Sequence, residues 1–302
     1  QSQSIHLKEL LLQLKGLPSE TIDGHRIEVA ANVSSASDLS AVLKNDAEGI
    51  GLFRSEFIYM GREKLPSEEE QFNIYKLAIE TMAGKRVIIR TLDIGADKEA
   101  SAFHLPKEDN PALGLRAIRI SLKRPEIFKV QLRAILRASA YGKAAIMFPL
   151  ITSVWEVWKA KEILTEVQME LDKKGIAYDK QMEICIMIET PAAALISDKL
   201  AKEVDFFSIG TNDLSQYTLV VDRTSRNLTD FFNPHHPAVL KLIQMTVENA
   251  HKAGIWVGMC GELGSDLSIT ETFLKMGVDE FSVAPYSVLP LRQQIRGIDL
   301  RK

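Results

Sequence analysis

Cysteine is almost missing from this 302-residue chain: Cys185 and Cys260 are the only two, far apart and in no CxxC pair. That excludes a disulfide scaffold and a thiolate zinc site and fits a reducing compartment, so the cytoplasm is the expected setting. No apolar run approaches the roughly 20 residues that a membrane span requires. The opening residues QSQSIHLKELLLQLKG lack the basic start and long apolar stretch of a secretory signal. Residues 1–22 are expected to be a helical or linker segment cut from a longer chain, ahead of one domain over 23–302. The net charge is −3, and neither a basic half nor a Lys/Arg cluster offers nucleic acid or a membrane surface a footprint. The six histidines show no HxxxH or HExxH spacing, and His235–His236 in NPHHPAVL are assigned no chemistry. Internal repeats, low-complexity tracts and Pro/Ser-rich linkers are also missing. Any affinity for anions must therefore be local.

What is present is material for a large core, with 46% hydrophobic and 25% charged residues. Eight short apolar runs stand out: 26–33, 49–55, 86–93, 144–150, 182–189, 204–211, 256–262 and 280–285. Segments of helical period lie between them, among them SASDLSAVLKNDA, PSEEEQFNIYKLAIETMAG, SVWEVWKAKEILTEVQMELDKKG and PAVLKLIQMTVENAHKAG. Gly84 and Gly175 mark helix ends. Strands rich in Val, Ile and Phe, each followed by a helix, imply a parallel sheet covered by helices, and eight of them imply a (β/α)8 TIM barrel. An open doubly wound sheet would want a glycine-rich phosphate loop, and no GxGxxG or GxxxxGK[ST] occurs. The connection after the third strand, 94–124, is long and polar and is expected to cap the barrel mouth. Trp155 and Trp158, with Val154 and Val157, fit the inner face and rim of an outer helix and are expected to pack in the core. Glu68, Glu69 and Glu70 read as a solvated helix start.

In such barrels the chemistry gathers at the C-terminal strand ends. Those ends carry Asn32, Arg54, Arg90 with Asp93, Glu189, Asn212 with Asp213, and Cys260 with Glu262. An arginine closing the run VIIR is costly unless something negative meets it. Arg54, Arg90 and Arg223 can grip phosphate or carboxylate oxygens through paired N–H donors; the alternative is that each pairs with a nearby Glu56, Asp93 or Asp222. Glu189 and Asp213 come from adjacent strands and suit Mg²⁺, which takes one or two carboxylates plus substrate oxygens and water. Their alternative roles are a helix cap for Glu189 and an Asx-turn for Asp213. Cys260, flanked by Gly258 and Gly261, reads as a small buried hydrophobe, a nucleophile or a proton donor; beside a bound anion its thiol stays protonated, which favours the donor. Cys185, inside EICIMIE, is the comparison case for plain burial.

The motifs GIGLFRSEF, RTLDIGADK, NPALGLRAIR, AAIMFPLI, IMIETPAAA, DFFSIGTNDLSQYTLVVDR and VGMCGELGSD run in order over nearly the whole chain. They resemble the phosphoenolpyruvate-binding C-terminal domain of Enzyme I, the phosphoenolpyruvate–protein phosphotransferase family that begins the bacterial sugar phosphotransferase system. The resemblance implies that Arg54, Arg90 and Arg223 hold phosphoenolpyruvate, with Asn212 contributing and Arg116 supporting from the long third loop. It implies that Glu189 and Asp213 bind Mg²⁺, and that Cys260 protonates the enolate as pyruvate leaves. The phosphoryl group would pass to a histidine on a separate N-terminal domain, and through it to a histidine-containing phosphocarrier protein. No Ser/Thr-His acceptor motif preceded by glycines occurs here; TSR at 224–226 has an arginine where that histidine would fall. The resemblance also implies a homodimer, with the loops after strands six to eight at or near the contact. Departures from the family's DIGGDK, DRGN and CGELAGD fall at Ala96, Thr224–Ser225 and Gly264–Ser265. Competing readings are the related barrel of pyruvate phosphate dikinase or phosphoenolpyruvate synthase, a binding-only regulatory module, and a Mg²⁺-dependent aldolase or lyase.

Overall fold

A computed structural model describes residues 2–95, 98 and 100–302. Each of the eight apolar runs contains one short strand: β1 Glu28–Val33, β2 Ile50–Arg54, β3 Val87–Arg90, β4 Ala144–Phe148, β5 Glu183–Ile188, β6 Phe206–Ile209, β7 Trp256–Met259 and β8 Glu280–Val283. All neighbours pair in parallel and β8 returns to β1, closing a barrel in sequence order. The expected (β/α)8 barrel is therefore the observed fold.

Side chains alternate across a strand, so every second residue faces the barrel axis. Along β3 and its approach these are Arg86, Ile88 and Arg90. Corresponding positions are Glu28, Ala30 and Asn32 on β1, Cys185 and Met187 on β5 with Glu189 just after it, and Trp256 and Gly258 on β7 with Cys260 just after it. The barrel interior is consequently layered. A compact apolar middle, including Leu52, Ile88, Met147, Cys185 and Met187, separates a charged floor from a charged mouth. The second, larger core lies between strands and helices, where Phe53, Tyr75, Ile79, Phe128 and Phe148 are fully buried.

The helices match their expected positions: Asp38–Lys44, Glu68–Thr81, Val154–Lys173 and Pro237–Lys252. Ser67 caps the second by accepting from the Glu70 N–H, and the acids there also pair with Arg62, Arg133 and Arg137. Gly84 and Gly175 end helices with φ of 91° and 64°, a region open to glycine.

Core packing of Trp155 and Trp158 is corrected: each is 58% exposed. Val157 is the residue that turns inward, with Ala160, Ile163, Leu164 and Val167, so the apolar stripe runs beside the tryptophans rather than through them.

The connection after β3 is only partly a loop, since a helix, Ile118–Lys123, lies within it. Ala117, at φ 51°, donates its N–H to the Ile94 carbonyl at 2.9 Å, folding this connection back onto the end of β3. Residues 14–22 are tied to the barrel base: fully buried Arg292 donates to the Leu14 carbonyl, to Ser19 Oγ and to Asp46.

Candidate active site

Arg90 leaves the end of β3 almost fully buried and meets two carboxylates, Glu56 at 2.9 Å and Asp93 at 3.2 Å. Burial opposes its charge, but Glu56 and Asp93 overcome that and hold the guanidinium well above its ordinary value. Arg116 arrives from the long third connection, bonding Asp93 at 3.1 Å and the Tyr217 hydroxyl at 3.2 Å, with Asp213 at 3.9 Å. Asp93 thus sits between two arginines, whose charges outweigh its burial and hold its carboxyl below the usual range. Among the described residues neither arginine is fully used: Nε of Arg90 and Nε of Arg116 are buried and have no partner there. Unmet buried donors are costly, so two of them at one mouth suit an anion.

Arg54, ending β2, differs. No carboxylate among the described residues lies within 4.0 Å of it; its Nη1 donates to Ser34 Oγ at 2.9 Å. Burial, then the charge of Arg90, pushes its guanidinium below the ordinary value. It faces a cavity of about 340 Å³, also lined by Asn32, Asn212, Cys260, Glu262 and Tyr286. Arg223 stands further out, exposed, 3.9 Å from Glu262, on an adjoining cavity of about 280 Å³ that shares Asn212 and Glu262 with the first. Arg90, Arg116, Glu189 and Asp213 line neither cavity; the first three are buried and Asp213 is half-buried.

Glu189 follows β5 and is 2% exposed. Leu150, held at φ 56° beyond β4, turns its N–H to Glu189 Oε1 at 2.6 Å. Glu189 does not cap the next helix; Thr190 does, accepting from the Ala193 N–H. Burial, then Asp213 and Asp93, raises the Glu189 carboxyl well above its ordinary range. Asp213 lies in the first turn of the helix Thr211–Leu219, which replaces the Asx-turn alternative. Among the described residues no three His, Cys, Asp or Glu side chains assemble a metal cage. A pair of hard carboxylate donors without a cage fits Mg²⁺, whose other ligands are water and substrate oxygens.

Cys260 is buried yet faces the larger cavity, and its Sγ lies 3.7 Å from the Ile209 carbonyl. Burial pushes its thiol up to about 11, so it is protonated near neutrality. Cys185, completely buried in the middle layer and lining neither cavity, is plain core. Asn212 Oδ1 accepts the Glu262 N–H at 2.9 Å, which leaves its amide N–H groups to point elsewhere. His235 bonds Asp266 at 2.6 Å, and His236 caps the helix Pro237–Lys252.

Tyr217, absent from the candidates drawn from the sequence, links Arg116 to the Ala112 carbonyl. Its spacing of four from Asp213 on one helix face was the available signal. Of the departures, Ala96 lies outside the described residues. Thr224 bonds Asp222 through both N–H and hydroxyl, and a Cβ on Gly264 would meet only ordinary contacts, so both stretches fit their surroundings.

Fold and site together define a (β/α)8 barrel whose mouth sets guanidinium groups against carboxylates. Residues 8–300 match the family described as PEP-utilising enzyme, PEP-binding domain, and the chain belongs to that family. It is 50% identical over 291 residues to a phosphoenolpyruvate-protein phosphotransferase of Staphylococcus epidermidis, covering 96% of this chain and 51% of that protein. The namesake from Haemophilus influenzae is 50% identical over 294 residues (97% and 51%), and that of Bacillus subtilis 51% over 278 (92% and 49%). The chain thus spans about half the length of the curated relatives it matches. Among solved structures, a citrate lyase from Burkholderia xenovorans aligns with TM-score 0.58 at 15% identity, over 94% of this chain and 80% of that one. An HpcH/Hpal aldolase/citrate lyase family protein from Burkholderia cenocepacia gives 0.53 at 14%, over 95% and 96%. These two likenesses concern the barrel alone.

Proposed function

We propose that this chain is the substrate half of a phosphoenolpyruvate-protein phosphotransferase of the sugar phosphotransferase system. In this reading it binds phosphoenolpyruvate with Mg²⁺ and yields pyruvate once the phosphoryl group passes to a histidine on a domain outside this chain, and from there to a phosphocarrier protein. The observation that carries the reading is the meeting of Arg54, Arg90 and Arg116 at one mouth, two of them with buried N–H donors that no described residue meets. Family membership and the half-length relatives support the same conclusion. A soluble cytoplasmic homodimer is part of the proposal.

Phosphoryl transfer depends on positioning and on neutralising charge. Arg54 and Arg90 would hold the anionic ends of the substrate, with Arg223 closing from the rim and Arg116 steadying Asp93. Asn212 would donate through its amide. Glu189 and Asp213 would hold Mg²⁺, which supplies Lewis-acid neutralisation of the substrate's oxygens. Cys260, protonated and facing the cavity, would give its proton to the methylene carbon of the enolate.

Titration calorimetry tests this directly. Phosphoenolpyruvate should bind with Mg²⁺ present and at least tenfold more weakly after chelation, the order of effect expected when a bound cation's charge is removed. No binding at millimolar phosphoenolpyruvate with Mg²⁺ would overturn the reading.

A further inference from the structure

The C-terminal end of β7 is the least supported part of the barrel wall. The β7–β8 ladder runs only from Gly258↔Glu280 to Met259↔Phe281, so the Cys260 carbonyl lies beyond it. A buried carbonyl needs a partner, and Cys260 is 2% exposed. Its partner comes from two strands away, where Asn32 Nδ2 on β1 donates to the Cys260 carbonyl at 3.2 Å. A carbonyl can only accept, which fixes the amide so that Nδ2 faces Cys260 and Oδ1 faces away. Oδ1 then accepts from the hydroxyl of Ser282, fully buried on β8, at 2.6 Å. Space for Ser282 is left by Gly51 on β2, where any Cβ would overlap the Ser282 Cβ and Oγ. The Cys260 N–H is meanwhile held by the Ile209 carbonyl at 3.0 Å.

We propose that Asn32 and Ser282 are positioning residues for Cys260, setting the thiol over the reacting carbon of the substrate; this rests on the proton-donor role of Cys260 proposed above. In the forward step the S–H bond breaks and a C–H bond forms at the enolate methylene. The sulfur keeps the electron pair as thiolate and regains a proton from water. Fixing the backbone on both sides of one residue leaves its side chain only its own rotamers, and an error of about 1 Å at a reacting atom costs up to about a hundredfold in rate. Ser282 lines neither cavity, so it acts only through Asn32.

The reverse half-reaction gives the test: deuterium uptake from heavy water into the methyl group of pyruvate, with Mg²⁺, followed by NMR. The thiolate removes a methyl proton, the C–H pair passes into the enolate, and a deuteron returns from sulfur. Ser282→Ala should lower kcat for exchange about tenfold with KM for pyruvate within twofold. Asn32→Ala should lower kcat at least as far, and the double variant no further than Asn32→Ala alone. Unchanged kcat in both single variants, or multiplying effects in the double, would overturn the proposal, since a purely structural pair predicts separate losses of stability instead. A second reading needs no turnover: iodoacetamide should modify Cys260 several-fold faster in Ser282→Ala, with core Cys185 as the silent control, and an unchanged rate would overturn the positioning. Asn32→Ala serves for both measurements should Ser282→Ala not fold. Failure of the unaltered chain to bind phosphoenolpyruvate would defeat the proposed function, while the alkylation rates still decide the positioning.

Discussion

Strand β3 and its approach carry two inward arginines four residues apart, Arg86 at the floor and Arg90 at the mouth, and their surroundings differ in an instructive way. Arg86 pairs with Glu28 at 3.0 Å and Glu183 at 3.2 Å, and its guanidinium lies 4.8 Å from the ring of Trp256, which stacks on Phe206 at 4.0 Å. It bonds acids on one side and covers aromatic faces on the other, a closed arrangement. Arg90 also has two acids, yet among the described residues its Nε–H is unmet, its charge reaches Arg54 and depresses that guanidinium, and Arg54 opens onto a cavity. An arginine at a strand end is therefore no sign of a site. Unmet donors beside open space are.

Exchanging the two arginines for alanine is the strongest way to break this contrast. Arg90→Ala should weaken phosphoenolpyruvate binding in calorimetry by about 2–5 kcal/mol, at least thirtyfold, as for removal of one buried charged partner. Arg86→Ala should cost about 3 kcal/mol in chemical denaturation by stranding its acids, with binding changed less than threefold. Equal effects of both on affinity would remove the distinction between mouth and floor.

The two cysteines repeat the contrast one layer apart. Cys260→Ala should slow methyl exchange of pyruvate about a hundredfold or more, the usual worth of a positioned acid–base group. Cys185→Ala should leave exchange intact and cost about 1 kcal/mol of stability through a small cavity.

Floor chemistry has its own signature in Glu280, 1% exposed, with Oε1 unpartnered among the described residues and its carboxyl raised by burial and then by Glu28. Because the folded value lies above the unfolded one, its contribution to stability is fully present below the unfolded carboxylate range and is lost as pH rises through the folded value. Glu280→Gln should therefore gain stability over the native chain at neutral and alkaline pH, and the gain should shrink toward about pH 4. Urea midpoints across that range check it; an undiminished difference in acid would contradict a neutral buried acid. Smallest of all, Trp155→Ser or Trp158→Ser should shift stability by no more than about 0.5 kcal/mol, where core packing would have cost several times more.

Most of the fold was legible because parallel strands buried on both faces leave continuous apolar runs, and each run contained its strand. The polar residues closing those runs were equally legible, since Asn32, Arg54, Arg90, Glu189 and Cys260 break an apolar pattern. Trp155 and Trp158 were misread because an aromatic beside a helical stripe looks alike whether it falls inside or just past the edge. Tyr217 escaped notice because its partner Arg116 is 101 residues away.

By itself the chain's order of residues determined the barrel, the layering of its interior and which side chains reach the mouth, since those follow from period-two alternation along each strand. Only the tertiary structure decided how the charges divide: that Arg90 and Arg116 share Asp93, that Arg54 meets no carboxylate among the described residues, and that Arg223 stands apart. Pairing and burial are set by distances across strands far apart in sequence, and no local spacing encodes them.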